Sequence, residues 1–183
     1  MSKFYTQTGD DGYTGRLGKG RYPKHHILIE TVGSIDEASA ALGFARSQVH
    51  TQQIGELILM TQKDLYHIMA ELSATPENAE KFRMVDADRL AWLEEEIETY
   101  GNEVDIPAEF IVPGDSQPGA ALAVARTIIR RCERRVSQLH EAEPVGNPII
   151  IPYLNRLSSL CFVLELIENQ SAGSTKTSLA KDR

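Results

Sequence analysis

The sequence predicts an all-α fold, a five-helix bundle preceded by a flexible glycine-rich arm. Five segments place apolar residues at three- and four-residue steps, the period of a helix that buries one face. No strand-like run exceeds a few residues, and no internal repeat is present. The breaks between periodic segments carry Pro and Gly, which cannot continue a helix. At 183 residues one domain is expected, spanning 1–170, and it is long enough to bury a core. The tail 171–183, SAGSTKTSLAKDR, has no periodicity and is expected to be disordered.

The N-terminal stretch Tyr5 to Lys24, YTQTGDDGYTGRLGKGRYPK, has little apolar material to fold around. Its glycines let backbone N–H groups approach an anion, and its hydroxyls and cations add donors. The spacing is neither that of a Walker A loop nor GxGxxG after a strand. A floppy arm and a ligand-ordered loop fit it equally well.

From Gly33 onward the pattern is helical. Ser34 with Glu37 three residues on reads as a capping box, opening a helix that runs to about Gln48. Ile54 to Leu72 forms a second helix, ended by Ser73-Ala-Thr-Pro76. Asp86 opens a third through Leu90, Leu93 and Ile97 to Tyr100, with Glu94, Glu95, Glu96 and Glu98 along a solvated edge. The loop Gly101 to Ala120 holds Pro107, Pro113, Gly114, Pro118 and Gly119 and interrupts the bundle. A fourth helix, from about Gly119 to His140, carries the apolar stripe Leu122, Ala125, Ile129, Cys132, Val136 and Leu139. A fifth, Ile149 to Asn169, is apolar on more than one side and is expected to be central.

The formal net charge of −7 argues against a nucleic-acid partner, because affinity for a phosphate backbone needs a cationic surface. Cys132 and Cys161 form no metal-binding or redox spacing and read as buried thiols in a reducing compartment. The N-terminus MSKFYTQTGD lacks a signal-peptide core, and no apolar run approaches the ~20 residues of a membrane span. A cytoplasmic protein without membrane partners is expected.

The densest chemistry lies in the fourth helix, ARTIIRRCERR. At about 100° per residue, Arg126, Arg130 and Glu133 fall within roughly 60° of one another, while Arg131 and Arg135 point away. Two rigid guanidiniums beside a carboxylate suit a polyphosphate and a group that orients it. A solvated face with intrahelical Arg/Glu pairs fits the same residues. Phe110, alone in its Pro- and Gly-rich loop, is either a core plug or a platform for a flat ligand. A di-iron bundle would need two Glu-x-x-His units, and only Asp64-Leu-Tyr-His67 approaches that pattern.

YTQTGDDGYTGRLGKGRYPK at Tyr5 to Lys24, GSIDE at Gly33 to Glu37, FIVPGD at Phe110 to Asp115, ARTIIRRCER at Ala125 to Arg134 and YLNRLS at Tyr153 to Ser158 together resemble one family. It is the PduO-type ATP:cob(I)alamin adenosyltransferases. The resemblance implies a homotrimer of five-helix bundles that transfers the 5′-deoxyadenosyl group of ATP to the cobalt of cobalamin or cobinamide, with sites between subunits. Thr8, Gly9, Asp10, Gly12, Thr14, Arg21 and Lys24 would form a nucleotide-binding loop around the triphosphate and Mg²⁺. Arg126 and Arg130 would bind ATP and stabilise the leaving triphosphate, Glu133 and Asn155 would position the nucleotide, and Asp36 would pair with Arg126 across the subunit boundary. Phe110 would lie against the lower corrin face. A flavoprotein reductase and an adenosylcobalamin-dependent enzyme are implied partners; a trimeric ATP sensor or chaperone-like paralogue is the alternative. Ser39, Asp115, Ser159 and Leu166 stand where the family pattern has Asn, Gly, Asp and Arg.

Overall fold

The computed structural model describes residues 4–173 and 177–181. Five long helices dominate: α1 (Ile27–Arg46), α2 (Gln52–Ser73), α4 (Ala87–Gly101), α5 (Gln117–Ala142) and α6 (Ile150–Ser171), with a single-turn α3 (Pro76–Ala79) between α2 and α4. α5 packs along both α1 and α6, α2 closes against α1, and α4 lies on α6. Tyr153, Leu154, Leu157 and Leu164 of α6 are buried with Leu122, Ile129 and Val136 of α5 and Ile35 and Leu42 of α1.

α6 fills the interior because it is apolar on several sides. Its length and hydropathy would suffice, on composition alone, for a membrane crossing. That corrects the expectation that no apolar run approaches a membrane span. In the structure the bundle buries most of this helix, and the buried stretch includes Glu165 and Glu168.

α1 starts one turn and more before Ser34. His26 caps it, its Nδ1 accepting from Leu28 N at 3.3 Å. Ser34 lies inside the helix, where its hydroxyl donates to Thr31 O at 2.7 Å. Leu28, Thr31, Ile35, Ala38, Leu42 and Ala45 are all buried, so a continuous stripe carries the helix through Gly33. Such burial outweighs the ~1 kcal/mol that glycine costs a helix. The expected starts of the third and fourth long helices lie close to the observed ones: Asp86 accepts from Arg89 N at 2.9 Å, and Ser116 accepts from Gly119 N at 3.0 Å.

The N-terminal arm contains a small hairpin, β1 (Tyr13–Gly15) antiparallel to β2 (Arg21–Pro23), with Thr14 opposite Tyr22. It is pinned to the end of α2 through Leu17 N to Ser73 O (2.9 Å) and Thr75 N to Leu17 O (3.0 Å). Arg16 adds bonds to Ala74 O (3.1 Å) and to the Tyr22 hydroxyl (2.9 Å).

Of the tail expected to be disordered, residues 174–176 and 182–183 lie outside the described residues. Residues 177–181 run beside the loop that carries Phe110, with an antiparallel bridge between Ile111 and Leu179.

Candidate functional site

Helix α5 presents its arginines on two sides. On one side Glu133 Oε1 accepts from Asn155 Nδ2 of α6 at 3.0 Å. Asn155 Oδ1 accepts in turn from Arg156 Nη1 at 3.1 Å, and Arg156 Nε reaches Glu94 of α4 at 3.0 Å. Arg130 and Glu133 line a cleft of about 330 Å³ together with Arg134, Ser137, Gln138 and Glu141. Arg130 is exposed, and among the described residues its guanidinium has no ion-pair partner. Arg126 lies deeper: its Nε is 3.9 Å from Glu165 Oε2.

Glu165 is a residue that the sequence reasoning missed. It is fully buried, and neither carboxylate oxygen has a hydrogen-bond partner among the described residues. Burial pushes its carboxyl up to about 7 against the opposing pull of Arg126, and Asp115 pushes in the same direction as burial. A charged residue in the middle of an apolar helix was the available signal. Glu168, one turn on, is also buried and holds His50 Nδ1 at 2.9 Å.

The other side of α5 faces the N-terminal arm. Thr14 and Lys24 share a cleft of about 480 Å³ with Glu30, Glu37, Arg131 and Arg135. Arg131 is already paired there, Nη2 to Glu37 Oε2 at 2.5 Å. Thr14 and Lys24 therefore meet Arg131 and Arg135 and not Arg126 and Arg130, so within one chain the expected residues form two groups. Asp36 is exposed on α1, and in the same chain Arg126 faces Glu165 instead.

Within itself the arm is held by backbone turns and by the Arg21 side chain. Lys24 N donates to Gly12 O at 2.9 Å, Gly12 N to Gly9 O at 3.2 Å, and Asp10 N to Gln7 O at 3.3 Å. Gly12 has φ +81°, where a side chain would be strained. A Cβ at Gly9 would lie 3.1 Å from Lys24 Nζ, so the ammonium is stacked directly over this glycine. Arg21, expected on the triphosphate, forks onto Asp11 with two bonds of 2.8 Å and also reaches the carbonyls of Thr8 and Tyr13. The Arg21 hydrogen bonds hold the Asp11 carboxyl below the usual carboxylate range. Asp11 was not singled out from sequence, although its place ten residues before Arg21 is compatible with a hairpin cross-link.

Phe110 is 88% exposed, with Val112 and Ile106 also largely exposed in the same loop, so it is not a core plug. Asp115 does not cap α5, a task left to Ser116; its two oxygens accept from Ser178 N (2.9 Å) and Ser178 Oγ (2.6 Å). Ser39 offers its carbonyl to Gln62, Ser159 is exposed, and Leu166 is buried. Asp64 is engaged by Arg89 Nε at 2.8 Å and by the Tyr153 hydroxyl, an interior ion-pair network.

An α-helical bundle with an arginine-lined helix flanked by a glycine-rich hairpin is the class that this fold defines. The chain belongs to the cobalamin adenosyltransferase family, whose family model matches residues 4–168. It is 33% identical to the corrinoid adenosyltransferase of Bacillus subtilis (strain 168), over 93% of this chain and 89% of that protein. The cobalamin adenosyltransferase of Cupriavidus metallidurans is 34% identical, over 100% of this chain and 97% of its own length. Among solved structures, a variant PduO-type ATP:corrinoid adenosyltransferase from Lactobacillus reuteri complexed with cobalamin and ATP superposes with a TM-score of 0.89. The two are 31% identical, with 98% of this chain and 100% of that one covered.

Proposed function

We propose that this protein is an ATP:corrinoid adenosyltransferase that moves the 5′-deoxyadenosyl group of ATP to the cobalt of cob(I)alamin or cobinamide. The observation that carries this reading is likeness along nearly the whole chain, at a TM-score of 0.89, to a protein complexed with both cobalamin and ATP. Cobalt(I) supplies the electron pair for the new cobalt–carbon bond, the ribose C5′–oxygen bond breaks, and triphosphate leaves with that bonding pair. A nucleophile this strong needs no general base. The protein's task is to align two reactants and to stabilise charge on the leaving group.

Arg126 and Arg130 take the leaving-group role. Glu133, held by Asn155, gives the nucleotide a fixed polar partner. ATP enters as its Mg²⁺ complex, with Asp10 the nearby loop carboxylate not taken up by Arg21. Phe110 presents an exposed apolar face to the corrin and keeps water and a lower ligand from cobalt.

The separation of Thr14 and Lys24 from Arg126 and Arg130 supports a composite site, in which the hairpin of one subunit closes over the arginine face of the next. A homotrimer with Asp36 pairing with the Arg126 of a neighbour fits that geometry. Light scattering tests it: a trimer that weakens in Asp36→Ala, together with activity, is expected, and a native monomer with full activity overturns it. Residues 1–170 then form one domain. The two buried free thiols suit a reducing cytoplasm, where a flavoprotein reductase would supply cobalt(I) and an adenosylcobalamin-dependent enzyme would take the product.

The deciding experiment is an anaerobic assay with reduced cobalamin, ATP and Mg²⁺, followed by the absorbance of adenosylcobalamin. Product is expected; ATP binding without product would mark a nucleotide sensor. Phe110→Ala should be slowed more when cobalt(II) and a reductant are supplied than when cobalt(I) is supplied. Its melting temperature should hold, because an 88% exposed side chain contributes little to the core.

A further inference from the structure

We propose that the C-terminal segment 177–181 is a strap that holds the Phe110 loop in place for a corrinoid, with Asp115 and Ser178 as its positioning residues. This rests on the adenosyltransferase reading above. Burial does not fix the aromatic of this loop: Phe110 is 88% exposed and Val112 48% exposed. Pro107 and Pro113 cannot donate, and Gly114 sits at φ +130°, so the segment has little regular structure of its own.

The tail supplies the missing ladder. Phe110 O accepts from Ala180 N at 2.8 Å, and Val112 N donates to Ser178 O at 2.7 Å, on either side of the Ile111–Leu179 bridge. Side chains alternate between the two faces of an extended segment, so holding this backbone in the ladder puts Phe110 and Val112 on one face, both exposed, and the half-buried Ile111 on the other. The face of Phe110 and Val112 is an apolar platform of the kind a flat macrocycle can lie on.

Asp115 locks the arrangement. Both of its oxygens are used, one by the Ser178 amide and one by the Ser178 hydroxyl, and bonds to a carboxylate are the stronger kind. The Lys181–Glu109 pair, at 4.0 Å and exposed, adds little. Asp115 stands where the resembling family has Gly, and Gly could not make this clamp. The strap is anchored to the corrin-side loop, while Arg130, Glu133 and Asn155 are joined through α5 and α6. Its loss should therefore be felt by the corrinoid and not by the nucleotide.

The experiment compares the full chain with a variant lacking residues 177–183 and with Asp115→Gly, which keeps the tail but removes its clamp. Hydrogen exchange at residues 110–112, cobalamin affinity by absorbance titration, MgATP affinity and thermal melting are measured on all three. Both variants should exchange faster at Val112 and bind cobalamin about tenfold more weakly, equivalent to ~1.4 kcal/mol. MgATP affinity should stay within about twofold and the melting temperature should hold. Unchanged exchange and unchanged cobalamin affinity in both variants overturn the strap while leaving the adenosyltransferase reading intact. Parallel losses of cobalamin and ATP affinity with a lowered melting temperature also overturn it, since the tail would then be a general stabiliser. A wild-type protein that binds no cobalamin overturns the underlying reading and the strap's role with it.

Discussion

Arg130 and Arg131 are adjacent in sequence and differ sharply in circumstance. Arg131 lies beside the hairpin and α1, neutralised by Glu37 at 2.5 Å. Arg130 lies on the side of α5 that carries Glu133 and Asn155, opens onto a cleft and has no ion pair among the described residues. A guanidinium satisfied by its own chain stabilises the fold locally. One left exposed beside an ordered carboxylate–amide pair keeps its charge for an incoming anion. Charge count alone does not identify a site; the partner already present decides what an arginine can do.

The strongest way to break this comparison is Arg130→Ala. Removing a preorganised donor from a leaving group typically costs ~10²–10³ in rate, so turnover should fall by that order while the melting temperature holds. Arg130→Lys should recover part of the activity, because charge returns without the two-pronged geometry. Steady-state rates with normal melting curves check both; wild-type turnover in Arg130→Ala would remove the residue from the site.

Glu165 sharpens the comparison at the neighbouring Arg126. Its folded carboxyl titrates at about 7, above the ordinary value of 4.5. Between those values the unfolded chain has released the proton that the folded chain keeps, so the unfolded state binds fewer protons and stability falls as pH rises across the window. The loss is complete above about pH 7 and amounts to at most ~3 kcal/mol. Glu165→Gln cannot ionise, so it should melt like wild type near pH 5 and higher than wild type near pH 8. Parallel melting curves across that range would show that Glu165 is not the titrating group.

The smallest expected effect is at Arg131→Ala. Its pair with Glu37 is roughly half exposed on both sides, and exposed pairs contribute ~0–1 kcal/mol. Stability should shift by less than that and turnover by only a few-fold. A loss matching that of Arg130→Ala in kcat would erase the distinction between the two sides of α5.

The bundle and the grouping of the α5 arginines were legible in the chain before any neighbour was known. Apolar spacing over one or two dozen residues states which side of a helix is buried, and the fixed turn of the helix separates Arg126, Arg130 and Glu133 from Arg131 and Arg135 with no knowledge of the neighbours. The cap at Asp86 is local in the same way, closed by an amide three residues on. What lay beyond the sequence were contacts between residues far apart in the chain. The early start of α1 depends on a buried stripe running through Gly33. The isolation of Glu165 beside Arg126 and the grip of Asp115 on Ser178 join segments that no local pattern relates. The separation of Thr14 and Lys24 from Arg126 and Arg130 is likewise decided by the tertiary structure. Helical phase is a property of one segment, whereas the neighbour that each phase meets is chosen only when the whole bundle minimises its exposed apolar surface and satisfies its buried polar groups.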